Sequence, residues 1–325
     1  MRLSVLDQSP ISEGSDGAQA LRNTVDLAQL ADSLGYHRYW VAEHHGGLML
    51  ASASPEALIG PIAAATQEIR VGSGGVMLPH YSPLKVAETF TILAALFPGR
   101  IDLGIGRAAG TDPMTTFALQ RDRRQAAPDD FPQQLAELLA YFGDSLPDDH
   151  PFERLAGTLP GLPELPEPWL LGSSLQSAIW AGQLALPYAF ADFINPRGGA
   201  IAQAYRERFQ PSRRRSEPYV AVCVAALCAD TDEEAQELST SWRAAFTSLR
   251  LGRSIAIPPV AEAARFLDEH KPIDRRLVVG SPETVRAGLE EVAAEYGADE
   301  LTIVTITHDD AARRRSYELI AGLLP

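Results

Sequence analysis

Cysteine is scarce. The chain of 325 residues has two, Cys223 and Cys228. They stand five positions apart in an apolar segment that reads as a strand, where an odd spacing sends side chains to opposite faces. That excludes a disulfide between them and a shared metal, leaving two buried thiols of an intracellular protein. Positive charge is also short. There are 28 Lys and Arg against 42 Asp and Glu, a net charge of −14, which argues against nucleic acid or an anionic membrane as partner. Two local basic runs, Arg121-Asp122-Arg123-Arg124 and Arg213-Arg214-Arg215, read as solvated surface. No uninterrupted apolar run is long enough to cross a bilayer, and the N-terminus enters a strand directly without a signal peptide, so a cytoplasmic protein is expected. No Gly-x-Gly-x-x-Gly follows the first strand, which disfavours an open dinucleotide-binding sheet. No internal repeat is visible.

What is present is organised around one stretch, Ile69 to Gly110. An apolar strand ends in Gly72, Gly74 and Gly75. Ser82-Pro83 then opens a helix with Val86, Phe90, Leu93 and Phe97 on one face, and Pro98-Gly99 stops it. A second apolar strand ends in Gly104, Gly106 and Arg107. Each strand therefore leaves glycines and polar groups at its C-terminal end, where parallel α/β folds bind ligands. Six further segments extend the rhythm. Residues 3–6, 38–41, 169–171, 188–191, 219–228 and 301–306 read as strands, and with the two above they make eight. Helices are expected at 18–34, 54–66, 174–180, 200–209, from Asp230, at 260–270 and after Ser281-Pro282-Glu283. Eight strands with intervening helices predict a single-domain (β/α)8 barrel over residues 1–325. Residues 108–167, with one helix at 133–142, and residues 250–280 break the rhythm. They are expected to be insertions on the ligand-binding edge, the second a mobile lid.

Four groups could carry chemistry. His44 follows the second strand in Glu43-His44-His45. Adjacent histidines cannot easily share a metal, and no third ligand stands at the right spacing, so no metal site is expected. A histidine on such a loop can act as general acid or base, although spacing alone favours one that only packs. Gly74 and Gly75 permit close approach of a flat ligand, or make an ordinary tight turn. Arg107 suits a phosphate, or a surface ion pair. Ser173, Ser174 and Ser177 stand where a helix begins, and hydroxyls with free backbone N–H groups can cradle a phosphate or simply cap the helix.

These same residues resemble the bacterial-luciferase-like flavin-dependent monooxygenases. The likeness is carried by Leu6-Asp7-Gln8-Ser9-Pro10, Ala42-Glu43-His44-His45, the central stretch through Gly104-Ile105-Gly106-Arg107, Leu171-Gly172-Ser173-Ser174 with Ser177, Gly280-Ser281-Pro282-Glu283-Thr284, and Arg313 through Ala321. The resemblance covers nearly the whole chain. It implies a barrel of luciferase type that binds reduced FMN, reacts it with O2 through a C4a-peroxyflavin, and oxygenates a small organic substrate. It implies that His44 is the catalytic histidine, that Gly74 and Gly75 lie under the flavin ring joined by a cis peptide bond, and that Arg107, Ser173, Ser174 and Ser177 bind the flavin phosphate. A homodimer and a separate flavin reductase are further implications. Ser173 stands where the aldehyde-oxidising luciferases have Glu, which turns the expectation away from light emission. Two alternatives remain at this stage. One is an F420-dependent hydride-transfer enzyme, whose acidic cofactor tail would use Arg121–Arg124 or Arg213–Arg215. The other is a non-catalytic flavin-binding protein.

Overall fold

The computed structural model describes residues 1–107, 111–125, 129–143, 146, 148–155 and 157–323. Nine strands and eleven α-helices occur among them. In order they are β1 (Arg2–Asp7), α1 (Gly17–Ser33), β2 (Arg38–Val41), α2 (Pro55–Ala65), β3 (Arg70–Met77), α3 (Pro83–Leu96), β4 (Ile101–Gly106), α4 (Pro113–Leu119) and α5 (Phe131–Tyr141). There follow β5 (Glu167–Gly172), α6 (Leu175–Gln183), β6 (Tyr188–Ala191), α7 (Gly199–Arg208), β7 (Val220–Cys228), α8 (Asp232–Arg250), α9 (Val260–Glu269), β8 (Val278–Gly280), α10 (Pro282–Tyr296), β9 (Glu300–Val304) and α11 (Asp310–Ala321). All strand pairings are parallel. The ring runs β1 to β7 in chain order and closes through β9, which pairs with both β7 and β1. This is the expected (β/α)8 barrel.

The ninth strand is a correction. The segment 250–280 carries β8, which pairs with Ala226, Leu227 and Cys228 beyond the points where β6 and β9 leave β7. Three residues are too short for an alternation signal. Among its described residues the segment 108–167 likewise holds α4 and a 3-10 turn at Glu153–Leu155 besides the expected helix.

Local chemistry explains most helix ends. Asp16, Asp112, Ser174, Thr231 and Asp309 each accept a backbone N–H of the first turn of their helix. The three Ser-Pro starts behave differently. Ser54, Ser82 and Ser281 make no such bond, and Ser54 Oγ donates to Glu56 instead. Proline fixes the entry angle and removes one orphan N–H, so the start signal works without a serine cap. Gly297 ends α10 in the left-handed region, φ 56°.

Strand alternation sorts the core into two. Outward residues such as Val71, Leu103, Val222 and Cys228 pack under the helices, whereas Leu6, Trp40, Trp169, Ala189, Cys223 and Val304 fill the barrel. The two cysteines do face opposite ways, both buried and free. Inside, the inward side chains form layers. At the N-terminal end Arg38 binds Asp102 at 2.7 Å, Glu300 at 3.2 Å and Glu167 at 3.2 Å. Two positions further along the same strands, Trp40 and Trp169 meet edge to face at 5.0 Å, and Trp40 Nε1 donates to Asp102 at 2.9 Å. Two positions further again on β2 and β5 stand Ala42 and Leu171, and the inward positions of β4 and β7 at this depth are the small residues Gly104, paired with Trp169, and Cys223. The inward residues shrink toward the C-terminal end, and a cavity opens there.

Candidate active site

The cavity measures about 410 Å³ and is walled by the C-terminal ends of β1 to β7. All seven residues singled out from the sequence line it: His44, Gly74, Gly75, Arg107, Ser173, Ser174 and Ser177. Much of the remaining wall is apolar, including Leu6, Leu170, Phe193 and Ile194.

His44 leaves the end of β2 with its backbone N–H donating to the Ser52 carbonyl at 2.8 Å. Its Nδ1 is buried and has no hydrogen-bond partner among the described residues. Burial, with the neighbouring His45 adding to it, pushes the imidazole down to about 4, so it is neutral near pH 7. Alternation turns Glu43 the other way. Its fully buried carboxylate accepts His45 Nε2 at 2.7 Å and the Met77 N–H at 2.9 Å. Glu43 thus ties the end of β2 to the end of β3 and holds the loop that presents His44. Burial raises its pKa and these two hydrogen bonds oppose the rise.

Gly74 and Gly75 are joined by a cis peptide bond, as the resemblance implied. The pair occupies a bulge, since Ser73 opposes Leu103 and Val76 opposes Ile105, which sets two glycines of β3 against Gly104 of β4. A Cβ on Gly75 would lie 2.8 Å from the Gly104 carbonyl oxygen, and one on Gly104 would strike the Ser73 carbonyl. Glycine is required here by close backbone approach.

Arg107 stands half-exposed at the mouth, bound to Asp129 at 3.1 Å with its guanidinium 5.6 Å from the Trp180 ring centroid. Beside it, after the neighbouring strand β5, lies the start of α6, where Ser174 Oγ accepts the Ser177 N–H at 3.3 Å. Ser177 is more deeply set. Its hydroxyl donates to the Ser174 carbonyl at 2.8 Å and pairs with the Tyr188 hydroxyl at 2.9 Å. Ser174 Oγ also lies 3.2 Å from Ser177 Oγ, so Ser173 has the one hydroxyl of the turn without a partner among the described residues. Neither basic run lines the cavity. Arg121 pairs with Asp130 and Arg124 with Asp122, while Arg215 binds Glu167 at the N-terminal end of the barrel, remote from the cavity.

Sequence reasoning gave no role to Gln8, Tyr188 or Trp180. Gln8 lines the cavity, is 2% exposed, and its Oε1 has no partner among the described residues. The available signal was parity: Ser4, Leu6 and Gln8 alternate inward along β1. Two orphaned buried polar atoms, His44 Nδ1 and Gln8 Oε1, therefore border an otherwise apolar slot with a cation and a hydroxyl turn at its mouth. That donor set fits a flat heteroaromatic ring carrying a phosphate tail. Among the described residues no group of three or more His, Cys, Asp or Glu is placed to hold a metal ion, and no helix is long and apolar enough to cross a membrane.

Comparison with known proteins finds relatives over nearly the whole chain. The chain is 43% identical to a luciferase-like monooxygenase of Escherichia coli K12, over 97% of this chain and 95% of that protein. It is 38% identical to N-acetyl-S-alkylcysteine monooxygenase of Bacillus subtilis 168, over 99% and 97%. Among solved structures, apo-MsnO8 superposes with a TM-score of 0.89 at 41% identity, covering 99% and 98% of the two chains. The oxygenating constituent of 3,6-diketocamphane monooxygenase of Pseudomonas putida, solved with FMN, shares the fold at TM-score 0.71 and 21% identity, over 99% and 97%. The family model described as luciferase-like monooxygenase matches residues 1–300, and with the closed barrel and its C-terminal cavity this places the chain in the luciferase-like monooxygenase family.

Proposed function

We propose that this protein is an FMN-dependent monooxygenase that uses reduced FMN and O2 to oxygenate a small organic substrate. The observation that carries the reading is the convergence of His44, the Gly74–Gly75 bulge, Arg107 and the Ser173–Ser174 turn on one cavity. Bound reduced flavin would supply the activation of O2. The chain supplies the rest. Arg107, Ser173 and Ser174 would hold the phosphate, with Ser177 bracing their turn against Tyr188. Gly74 and Gly75 remove side chains from the floor, and Leu6, Phe193 and Ile194 exclude water. His44, neutral and with one unpaired ring nitrogen, would hold or accept a proton beside the reacting atoms. The name of the B. subtilis relative makes small sulfur-bearing amino-acid derivatives the first substrates to screen. In the same reading a separate reductase delivers the flavin and the protein works as a homodimer, which analytical ultracentrifugation checks.

The test is an anaerobic titration of the protein with reduced FMN and, in parallel, reduced F420, followed by admission of O2 under a spectrophotometer. Tight binding of reduced FMN, and an oxidation time course altered from that of free flavin, are expected. Preference for F420 would move the protein to the hydride-transfer class. Flavin binding with unaltered oxidation in the presence of candidate substrates would make it a binding protein only.

A further inference from the structure

Beside the main cavity lies a second, smaller one of about 30 Å³, and Phe193 forms part of the wall of both. It is built from Ala225 of β7, Trp242, Arg243 and Phe246 of α8, and Ile273, Arg275, Arg276 and Leu277, while Asp274 is exposed and outside the lining. The two adjacent arginines are in opposite situations. Arg276 has its charge matched, by Glu295 at 2.6 Å and Asp192 at 3.4 Å. Arg275 is half-buried, lies 5.5 Å from the Phe246 ring centroid, and has only a long contact at 3.4 Å to the Phe193 carbonyl. No carboxylate pairs with it among the described residues, nor with Arg243, whose contacts are Ser239 Oγ and Gln236 Oε1. Burial, and then the nearby positive charge of Arg250, lower the pKa of Arg275. In a chain of net charge −14, this is an uncompensated cation set against an aromatic wall one side chain away from the flavin-sized cavity.

We propose that Arg275 anchors an organic carboxylate whose apolar remainder passes Phe193 into the main cavity, so that the substrate is a small amphipathic monocarboxylate. The shape of the pocket supports this chemistry. A water-sized probe needs roughly 10–15 Å³ of such volume, so about 30 Å³ takes two oxygens side by side, as in a planar carboxylate, and is cramped for a tetrahedral head. A guanidinium fork matches two coplanar oxygens. The neighbouring main cavity offers apolar walls to the rest of the molecule and reserves its own cation, Arg107, for the opposite side of the mouth near Trp180. The proposal rests on the flavin-monooxygenase reading for what happens to the ligand, and on geometry alone for its binding.

Isothermal titration of the flavin-free protein with hexanoate and with hexanamide, which differ in charge and hardly in shape, tests it. Hexanoate should bind tighter by about tenfold or more, the size of one charge-assisted pair. Arg275→Gln should abolish the preference, Arg275→Lys should keep part of it, and Arg107→Ala should retain it. Thermal unfolding of each variant checks that it is folded, and Arg275→Lys carries the test if Arg275→Gln is not. Equal binding of the two ligands by the wild type, no binding of hexanoate, a preference unchanged in either Arg275 variant, or a preference lost in Arg107→Ala would each overturn the assignment. Because no flavin is present, such a result leaves the monooxygenase reading standing, and a failed flavin titration leaves this one standing.

Discussion

Arg313 of α11 donates through Nη2 to Asp7 Oδ1 at 2.6 Å, joining the last helix to the end of the first strand across 306 positions of sequence. Both side chains are buried, and Asp7 also accepts the Tyr39 hydroxyl at 2.5 Å and the Ser9 N–H at 2.8 Å. The pair therefore closes the barrel at its chain termini, on the edge that carries the cavity.

Removing one partner leaves a buried charge uncompensated, so Arg313→Met should cost about 3–5 kcal/mol at pH 7. Burial pushes the Asp7 carboxyl up, but Arg313 and the hydrogen bonds from Tyr39 and Ser9 override it and hold it below its ordinary value of 3.8. A depressed carboxylate contributes stability that is present above its unfolded value and lost as pH falls through the folded one. Urea unfolding of wild type and Arg313→Met should accordingly differ most at neutral pH and converge as pH drops below about 4.

Arg107→Ala should weaken FMN by about tenfold or more while hardly changing riboflavin, which lacks the phosphate, since charge-assisted hydrogen bonds contribute about 1.5–3 kcal/mol each. Fluorescence titration with both ligands measures this. Equal losses would remove Arg107 from the phosphate site.

For His44, NMR titration of the ring should show protonation at about 4, with no change of charge between pH 6 and 8. His44→Ala should leave flavin affinity nearly intact and reduce product formation on the order of 100-fold, the share of a positioned acid or base. Near-normal turnover would make His44 a packing residue.

Residues 250–280 touch the loops that follow β1 and β2, and none of them lines the main cavity. Ile257 pairs with Ser12 and exchanges hydrogen bonds with Ile11 and Glu13, and Ser254 Oγ accepts the Leu48 N–H at 2.9 Å. If this segment is the expected lid, its amide hydrogen exchange should slow when flavin and substrate are bound. Unchanged exchange would argue for a fixed cover.

Gly75→Ala places a methyl group 2.8 Å from the Gly104 carbonyl oxygen and should destabilise by about 1–3 kcal/mol, the range for overpacking. Gly157→Ala, whose added Cβ has nothing within 4 Å, should stay within about 0.5 kcal/mol. Thermal melts of the two variants make the comparison.

The barrel was legible because its signals are local. Apolar runs such as Val220–Cys228, buried along its whole length, announce a parallel strand with both faces covered. Ser-Pro starts and Gly stops mark helix ends within a few residues, and glycines at the ends of β3 and β4 mark the functional edge. The seven cavity residues were nominated by their types at strand ends and at a helix start, which left each with a bland reading as well; only the family resemblance gave them roles, because residue type and spacing alone do not choose between a ligand contact and a turn, cap or ion pair. Partnership is different. Whether Arg38 would find Asp102 64 positions away and Glu300 262 positions away, whether Ser177 would spend its proton on the Ser174 carbonyl, and which of the neighbours Arg275 and Arg276 would be left without a carboxylate depend on ring closure and on the angle at which each helix returns to the sheet. So does the remoteness of Arg215 from the cavity. The energy of a buried charge is set by the few ångströms around it, and only the closed barrel decides what occupies them.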